Sequence, residues 1–400
     1  MAVTIACTGG GTGGHVFPGI AVIDQLKKID SSTELEVVWI GSGKQIERDI
    51  TRRFDVPYYA VPSGKLRRYF SLQNFLDIFK LIAGIIVSIR LLKKLKAGVL
   101  FSKGGYVAVA PVIAARILGI PVLTHESDRD PGLATRIAAR FADLILLPYE
   151  ATRVEHFSEA AEAAEAADGL PDEPRSRNRR VIVTGNPVRD ELFAGDAARG
   201  RELLGLPEAE PLLVVLGGSQ GARQVNRMLK AILPQLLEQA LVVHQMGELD
   251  YEPSSDPRYI TAPLFHGEFP HILAAADVII SRAGAGTLWE SGTLGKASIL
   301  IPLGGESSRG DQVRNARLFA ERGAAVMLEG DSLNSEALLE HIHRLLQYEG
   351  ERRAMGKAAA ELCPADAARR MAELIYSHAL STIGPKRKSE KGSERGAVNQ

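Results

Sequence analysis

A chain of 400 residues exceeds what one hydrophobic core usually organises, so two domains are expected, with room for a tail. Apolar residues make up 45% and charged residues 24%, which excludes a disordered or fibrous chain, and 48 basic against 48 acidic side chains exclude a surface built throughout for nucleic acid. Cys7 and Cys363 stand far apart without CxxC spacing, so neither a disulfide framework nor a zinc site is expected, and a reducing compartment fits.

The first apolar strand, residues 3–6, runs into a glycine cluster without the basic start and long apolar core of a secretory signal, so export is not expected. Gly9, Gly11 and Gly14 match G-x-G-x-x-G between that strand and a helical pattern at 20–29. Such a loop lets the backbone approach a phosphate at a helix N-terminus; the plainer alternative is a tight strand-to-helix turn. The next strand, 36–40, ends in Trp39-Ile40-Gly41-Ser42-Gly43, with no acid to hold a nicotinamide cofactor's ribose.

Residues 65–96 mix Phe70, Phe75, Ile78, Phe79, Ile82 and Ile86 with Lys65, Arg67, Arg68, Lys80, Arg90, Lys93, Lys94 and Lys96. This reads either as a face lying on an anionic bilayer or as a buried helix with solvated basic ends; Asp77, Lys80 and Arg90 break its apolar run too often for a span. Strands at 122–124 and 144–147 flank a helical stretch at 133–141. Residues 155–180, rich in Ala, Glu, Pro and Arg, are expected to be an irregular surface insertion, and 181–189 to join two domains.

The second half repeats the alternation, with apolar strands at 212–216, 240–243, 277–280 and 298–302. A second glycine turn, Gly217 to Gly221, carries Ser219 and Gln220, which would meet a ligand's diphosphate. A third small-residue turn, 281–287, opens a helix with Glu290 about one turn in. That carboxylate either accepts two ribose hydroxyls or simply favours a helix N-terminus. The fold class is therefore α/β: two Rossmann-like, doubly wound domains with a cleft at the carboxyl ends of both sheets. Residues 383–400, short of apolar side chains, are expected to be a disordered basic tail.

Six segments in order, from Gly9-Gly10-Gly11-Thr12-Gly13-Gly14-His15 through Gly104-Gly105-Tyr106-Val107, His125-Glu126, Gly185-Asn186-Pro187-Val188-Arg189 and Gly217-Gly218-Ser219-Gln220-Gly221-Ala222-Arg223 to Asp311-Gln312-Val313-Arg314-Asn315-Ala316, resemble the successive signatures of the MurG family, within glycosyltransferase family 28. The resemblance runs from about residue 3 to residue 376. It implies the GT-B fold, with an acceptor- and membrane-facing domain at 1–189, a donor domain at 190–364, and a C-terminal helix near 365–382 returning to the first. It implies transfer of N-acetylglucosamine from UDP-N-acetylglucosamine (UDP-GlcNAc) to the C4 hydroxyl of the muramoyl sugar in undecaprenyl-pyrophosphoryl-MurNAc-pentapeptide, forming a β-1,4 link with inversion. It also implies a peripheral place on the cytoplasmic face of the plasma (inner) membrane, a part in cell-wall biogenesis, cell shape and division, and other cell-wall enzymes as candidate partners, with no nucleic acid.

By the same resemblance, Thr12, Gly13 and Gly14 face the sugar and diphosphate. Arg189, Ser219, Gln220, the turn through Gly286, Thr287 and Leu288 to Glu290, and Gln312 contact the donor. Some members carry Gln-Asn after His-Glu where this chain has Ser127-Asp128, so a sugar contact passes to Asp128. For the base, His15 is favoured, because an unperturbed imidazole titrates near pH 6.5, with Glu126 as runner-up. Their plainer readings are a helix-start residue and a strand-end residue that shapes the cleft. No obligatory metal or other cofactor is expected, since helix N-termini and Arg189 can meet the leaving-group charge. Asp128-Arg129-Asp130 is formally a metal-holding D-x-D, but Pro131-Gly132 make it read as a polar turn, and His341 and His343 diverge on a helix. Rival readings are another GT-B enzyme such as a glycolipid synthase or UDP-N-acetylglucosamine 2-epimerase, a nucleotide-sugar-binding scaffold, and a dinucleotide oxidoreductase.

Overall fold

The computed structural model describes residues 3–11, 13–29, 34–64, 72–167, 180–207, 210–218, 221–265, 267–304 and 310–382. Thr12, Ser219, Gln220, the basic stretch 65–71 and the tail 383–400 lie outside the described residues.

Seven short apolar runs form the first sheet: β1 (Val3–Thr8), β2 (Leu35–Gly41), β3 (Tyr58–Ala60), β4 (Ala97–Ser102), β5 (Val122–His125), β6 (Leu144–Leu147) and β7 (Arg180–Val183). Six form the second: β8 (Leu212–Leu216), β9 (Leu241–Gln245), β10 (Tyr259–Ala262), β11 (Val278–Ser281), β12 (Ala297–Leu300) and β13 (Val326–Met327). The orders are β3-β2-β1-β4-β5-β6-β7 and β10-β9-β8-β11-β12-β13, with parallel pairing throughout. Every residue of β1 and β8 is buried, as expected of a central parallel strand covered on both faces. In each sheet the winding reverses beside the first strand, between β1 and β4 and between β8 and β11. Open α/β sheets bind ligands outside the carboxyl ends at that reversal.

The helices that bear on the site are α1 (Gly13–Lys28), α2 (Gln45–Arg53), α3 (Leu72–Leu95), α4 (Glu150–Ala167), α5 (Arg223–Leu237), α6 (Ala285–Thr293), α7 (Asp311–Glu321) and α8 (Ala367–Ser381). Met371, Ala372, Ile375 and Ala379 of α8 pack among Val3, Ile5 and Ile23 in the core of the first lobe. Arg370 donates to the Val183 carbonyl at 3.0 Å, so the chain's last described helix ties back to the sheet where it began. Tyr149, just after β6, is buried in the second lobe's core, where its hydroxyl accepts from Trp289 Nε1 at 2.7 Å.

Two expectations need correction. Residues 155–167 are not irregular: they continue α4, which kinks at Phe157. Alanine and glutamate favour helix without any apolar stripe, so the missing periodicity misled; residues 168–179 lie outside the described residues. The segment 181–189 is also not all connection, because Val181 to Val183 belong to β7 and pair with β6. The polar edge residue Arg180 and three half-buried neighbours hid that strand.

Candidate active site

The β1–α1 turn is shaped by a buried acid. Glu47 of α2 is fully buried. Its Oε1 accepts from the Gly11 amide at 2.8 Å and the Ser42 hydroxyl at 2.8 Å, and its Oε2 from the Ser42 amide at 2.7 Å and the Tyr58 hydroxyl at 2.8 Å. Four donors satisfy the carboxylate and fix the loop. Gly10 has φ 150° and lies so close that a Cβ would come within 2.4 Å of Glu47 Oε1. The acid absent from the end of β2 is thus supplied from α2, and it is spent on the loop rather than offered to a ribose.

His15, the third residue of α1, is half-buried and lies against Gly105 of the β4 turn. Gly105 has φ 79°, and a Cβ there would stand 2.7 Å from the Gly10 carbonyl and 3.2 Å from His15 Cδ2, so only glycine lets the turns meet. Gly13 is half-buried and Gly14 exposed at the start of α1, whose first turn holds no acid.

His125, at the end of β5, is fully buried, and its Nε2–H donates to the Gly185 carbonyl at 2.9 Å. Burial, then the nearby Lys103 charge, holds its pKa well below 6.5, so it is neutral at physiological pH. Glu126 is nearly buried, with Oε1 accepting the Ser127 and Asp128 amides at 2.7 and 3.0 Å and Oε2 the Gly132 amide at 3.0 Å. Those bonds make it the anchor of its loop.

Asp128 is drawn to the opposite lobe. Its Oδ1 accepts from Asn315 Nδ2 of α7 at 3.0 Å. Asp130 pairs instead with Arg314 and, at 3.3 Å, with Arg129. The two acids of the D-x-D therefore serve different cross-lobe contacts, with guanidinium groups beside Asp130. Asp130 also lies near Glu155 and His156 in an acidic group whose other two members are exposed.

In the second lobe, α6 begins after Gly284 with no side-chain cap and no acid in its first turn, an arrangement compatible with an anion at its leading amides. Gly286 there is exposed, Thr287 half-buried and Leu288 buried. Glu290 faces Arg189: Nη2 and Oε1 are 3.3 Å apart, and the guanidinium lies 4.6 Å from the Phe17 ring centre on α1. Burial raises the Glu290 pKa, with Arg189 opposing. Gln312, second residue of α7, accepts the Leu303 amide at 2.9 Å through Oε1.

Sequence reasoning missed two residues. Lys103, after β4 at the sheet's switch point, is 1% exposed and donates to the Ser127 hydroxyl. Burial lowers its pKa from 10.5 to about 8, against the pull of Glu126 and Asp128. A lysine set between Phe101-Ser102 and Gly104-Gly105 was the available signal. Asn315 stood inside a quoted motif, but nothing in its neighbours marks it as cross-lobe.

Tandem Rossmann-type lobes, each with a glycine turn after its central strand, give the chain the GT-B architecture. Residues 5–147 match the glycosyltransferase family 28 N-terminal domain and residues 212–371 its C-terminal domain. The chain belongs to glycosyltransferase family 28. It is similar to the UDP-N-acetylglucosamine–N-acetylmuramyl-(pentapeptide) pyrophosphoryl-undecaprenol N-acetylglucosamine transferase of Treponema denticola, 41% identical over 362 residues, covering 85% of this chain and 88% of that protein. It is 39% identical over 345 residues to the Bacillus cereus transferase 2 of the same name, covering 86% and 91%. Among solved structures, Acinetobacter baumannii MurG superposes with TM-score 0.67 and 25% identity, over 94% of this chain and 99% of that one. A Neisseria meningitidis UDP-GlcNAc 2-epimerase bound to UDP-GlcNAc shares the fold alone, with TM-score 0.64 and 15% identity over 94% and 100%.

Proposed function

We propose that the chain catalyses inverting transfer of N-acetylglucosamine from UDP-GlcNAc to the C4 hydroxyl of MurNAc in undecaprenyl-pyrophosphoryl-MurNAc-pentapeptide. The observation that carries this reading is the sustained likeness to the named transferases through both lobes. The geometry supplies the chemistry. His15, beside the phosphate turn, takes the acceptor proton as the anomeric carbon passes through an oxocarbenium-like state. The uncapped N-terminus of α6, with Arg189 and the glycine turn before α1, receives the charge that develops on UDP, because these groups are oriented before it appears. Glu290 holds the ribose, and Gln312, with Thr12, Ser219 and Gln220, completes the donor contacts. No step requires a metal.

The acceptor's lipid is matched by α3. Ile78, Phe79, Ile82 and Ile86 are 45–59% exposed, and Lys80, Arg90, Lys93 and Lys94 are exposed on the same helix. No helix among the described residues is long and apolar enough to cross a membrane. The exposed stripe suits a peripheral seat on an anionic bilayer, at the cytoplasmic face where UDP-sugars occur.

The test is transfer of radiolabelled N-acetylglucosamine from its UDP donor to a short-chain analogue of the lipid-linked muramoyl pentapeptide, with and without chelator. Product in both arms supports the reading and its metal independence. A folded, UDP-binding protein that makes no product overturns it.

A further inference from the structure

Asn315 makes three side-chain hydrogen bonds at the junction of the lobes. Its Oδ1 accepts the Arg129 amide at 2.9 Å. Its Nδ2 donates to Asp128 Oδ1 at 3.0 Å and to the Ala283 carbonyl at 3.3 Å. The side chain is 0% exposed. The amide's orientation follows from its partners, since a backbone N–H must meet oxygen while a carboxylate and a carbonyl must meet NH₂. Ala283 belongs to the turn that opens α6, and the Asp128 loop belongs to the lobe that carries His15.

The loop is pinned from within its own lobe as well. Lys103 donates to the Ser127 hydroxyl from beneath the first glycine turn, where a Cβ on Gly9 would come within 3.1 Å of its Cβ. Asn186 Nδ2 donates to the Ser127 carbonyl at 2.8 Å. Glu126 gathers the Ser127, Asp128 and Gly132 amides. A continuous bonded path therefore runs from the floor of the first lobe, through Ser127 and Asp128, to Asn315 and the α6 turn.

We propose that Asn315 is a positioning residue for transfer: with Asp128 and Arg129 it sets the spacing between the lobe bearing His15 and the turn opening α6, while Lys103 holds the Asp128 loop. The proposal rests on the transferase reading above. The reacting atoms come from both lobes, so an error in their spacing lowers turnover more than it lowers affinity for UDP.

The experiment compares wild type, Asn315→Asp, Asp128→Asn and the double variant by transfer rate, UDP calorimetry, melting and small-angle scattering. Asn315→Asp sets two carboxylates against each other, and turnover is expected to fall by at least about tenfold with UDP affinity within about twofold. Adding Asp128→Asn relieves that pair but not the new repulsion from the Ala283 carbonyl, so the double variant should recover at least about fivefold of the loss. Scattering should show Asn315→Asp more open than wild type, and the double variant compact again. An Asn315→Asp protein with wild-type turnover, or a double variant as slow as the single, overturns the proposal. If wild type itself transfers nothing, the functional reading fails and the scattering series alone decides: expansion reversed in the double supports the positioning contact, and no expansion overturns it.

Discussion

Arg189, in the connection between the lobes, meets Glu290 of α6, Nη2 to Oε1 at 3.3 Å, with the guanidinium also lying over Phe17 of α1. One ion pair thus touches the connection between the lobes, the first lobe's α1 and the second lobe's α6. Glu290→Gln keeps the shape but loses the charge on which the proposed ribose contact relies. UDP affinity is expected to weaken about tenfold, with a smaller change in kcat, measured by calorimetry and steady-state kinetics. Unchanged affinity would assign Glu290 to the ion pair alone.

His15 carries a separate expectation. A general base contributes on the order of 10²-fold or more, so His15→Ala should lower kcat by about that factor while UDP binding stays level. A folded variant with an unchanged rate removes His15 from the mechanism.

The buried Glu47 gives a stability prediction. Glu47→Gln places an NH₂ group where the Gly11 or Ser42 amide now donates, leaving one buried N–H unpaired. The loss should be about 2 kcal/mol in urea unfolding, with weaker donor binding because the glycine turn loosens. Unchanged stability would show that the loop holds without this carboxylate.

Lys103 gives a pH dependence whose sign follows from burial. Its pKa is about 8 in the folded chain against an ordinary 10.5. Between those values the unfolded chain binds more protons, so stability from this group rises with pH from about 8 towards 10.5, and the full burial cost applies below 8. Lys103→Met lacks this component. Wild type should therefore gain on the variant between pH 8 and pH 10 in urea unfolding; a constant gap contradicts the assignment.

The α3 stripe predicts membrane binding. Phe79→Ser with Ile82→Ser removes two exposed apolar side chains, and each is expected to cost roughly tenfold in partition to anionic vesicles. Flotation reads the loss, while transfer to a water-soluble acceptor analogue should persist. Equal flotation of variant and wild type would return α3 to an ordinary surface helix.

Much of the fold was legible because it is local. Buried parallel strands such as β1 and β8 are continuous apolar runs, and the glycine turns after them follow from chain geometry. The short, half-buried strands β3, β7, β10 and β13 escaped notice, since two to four mixed residues carry no period. The extension of α4 escaped because alanine-rich helix needs no apolar stripe.

The sequence by itself determined the α/β alternation, the tandem glycine turns and the family signatures, all encoded in residues a few positions apart. Only the tertiary structure decided how those pieces meet. It placed Glu47 under the first glycine turn, aimed Asp128 at Asn315 across 187 positions of chain, and buried Lys103 at the switch point. Such contacts depend on strand order and lobe packing, and a residue's neighbours in sequence carry no record of the partner it acquires when the sheets close around it.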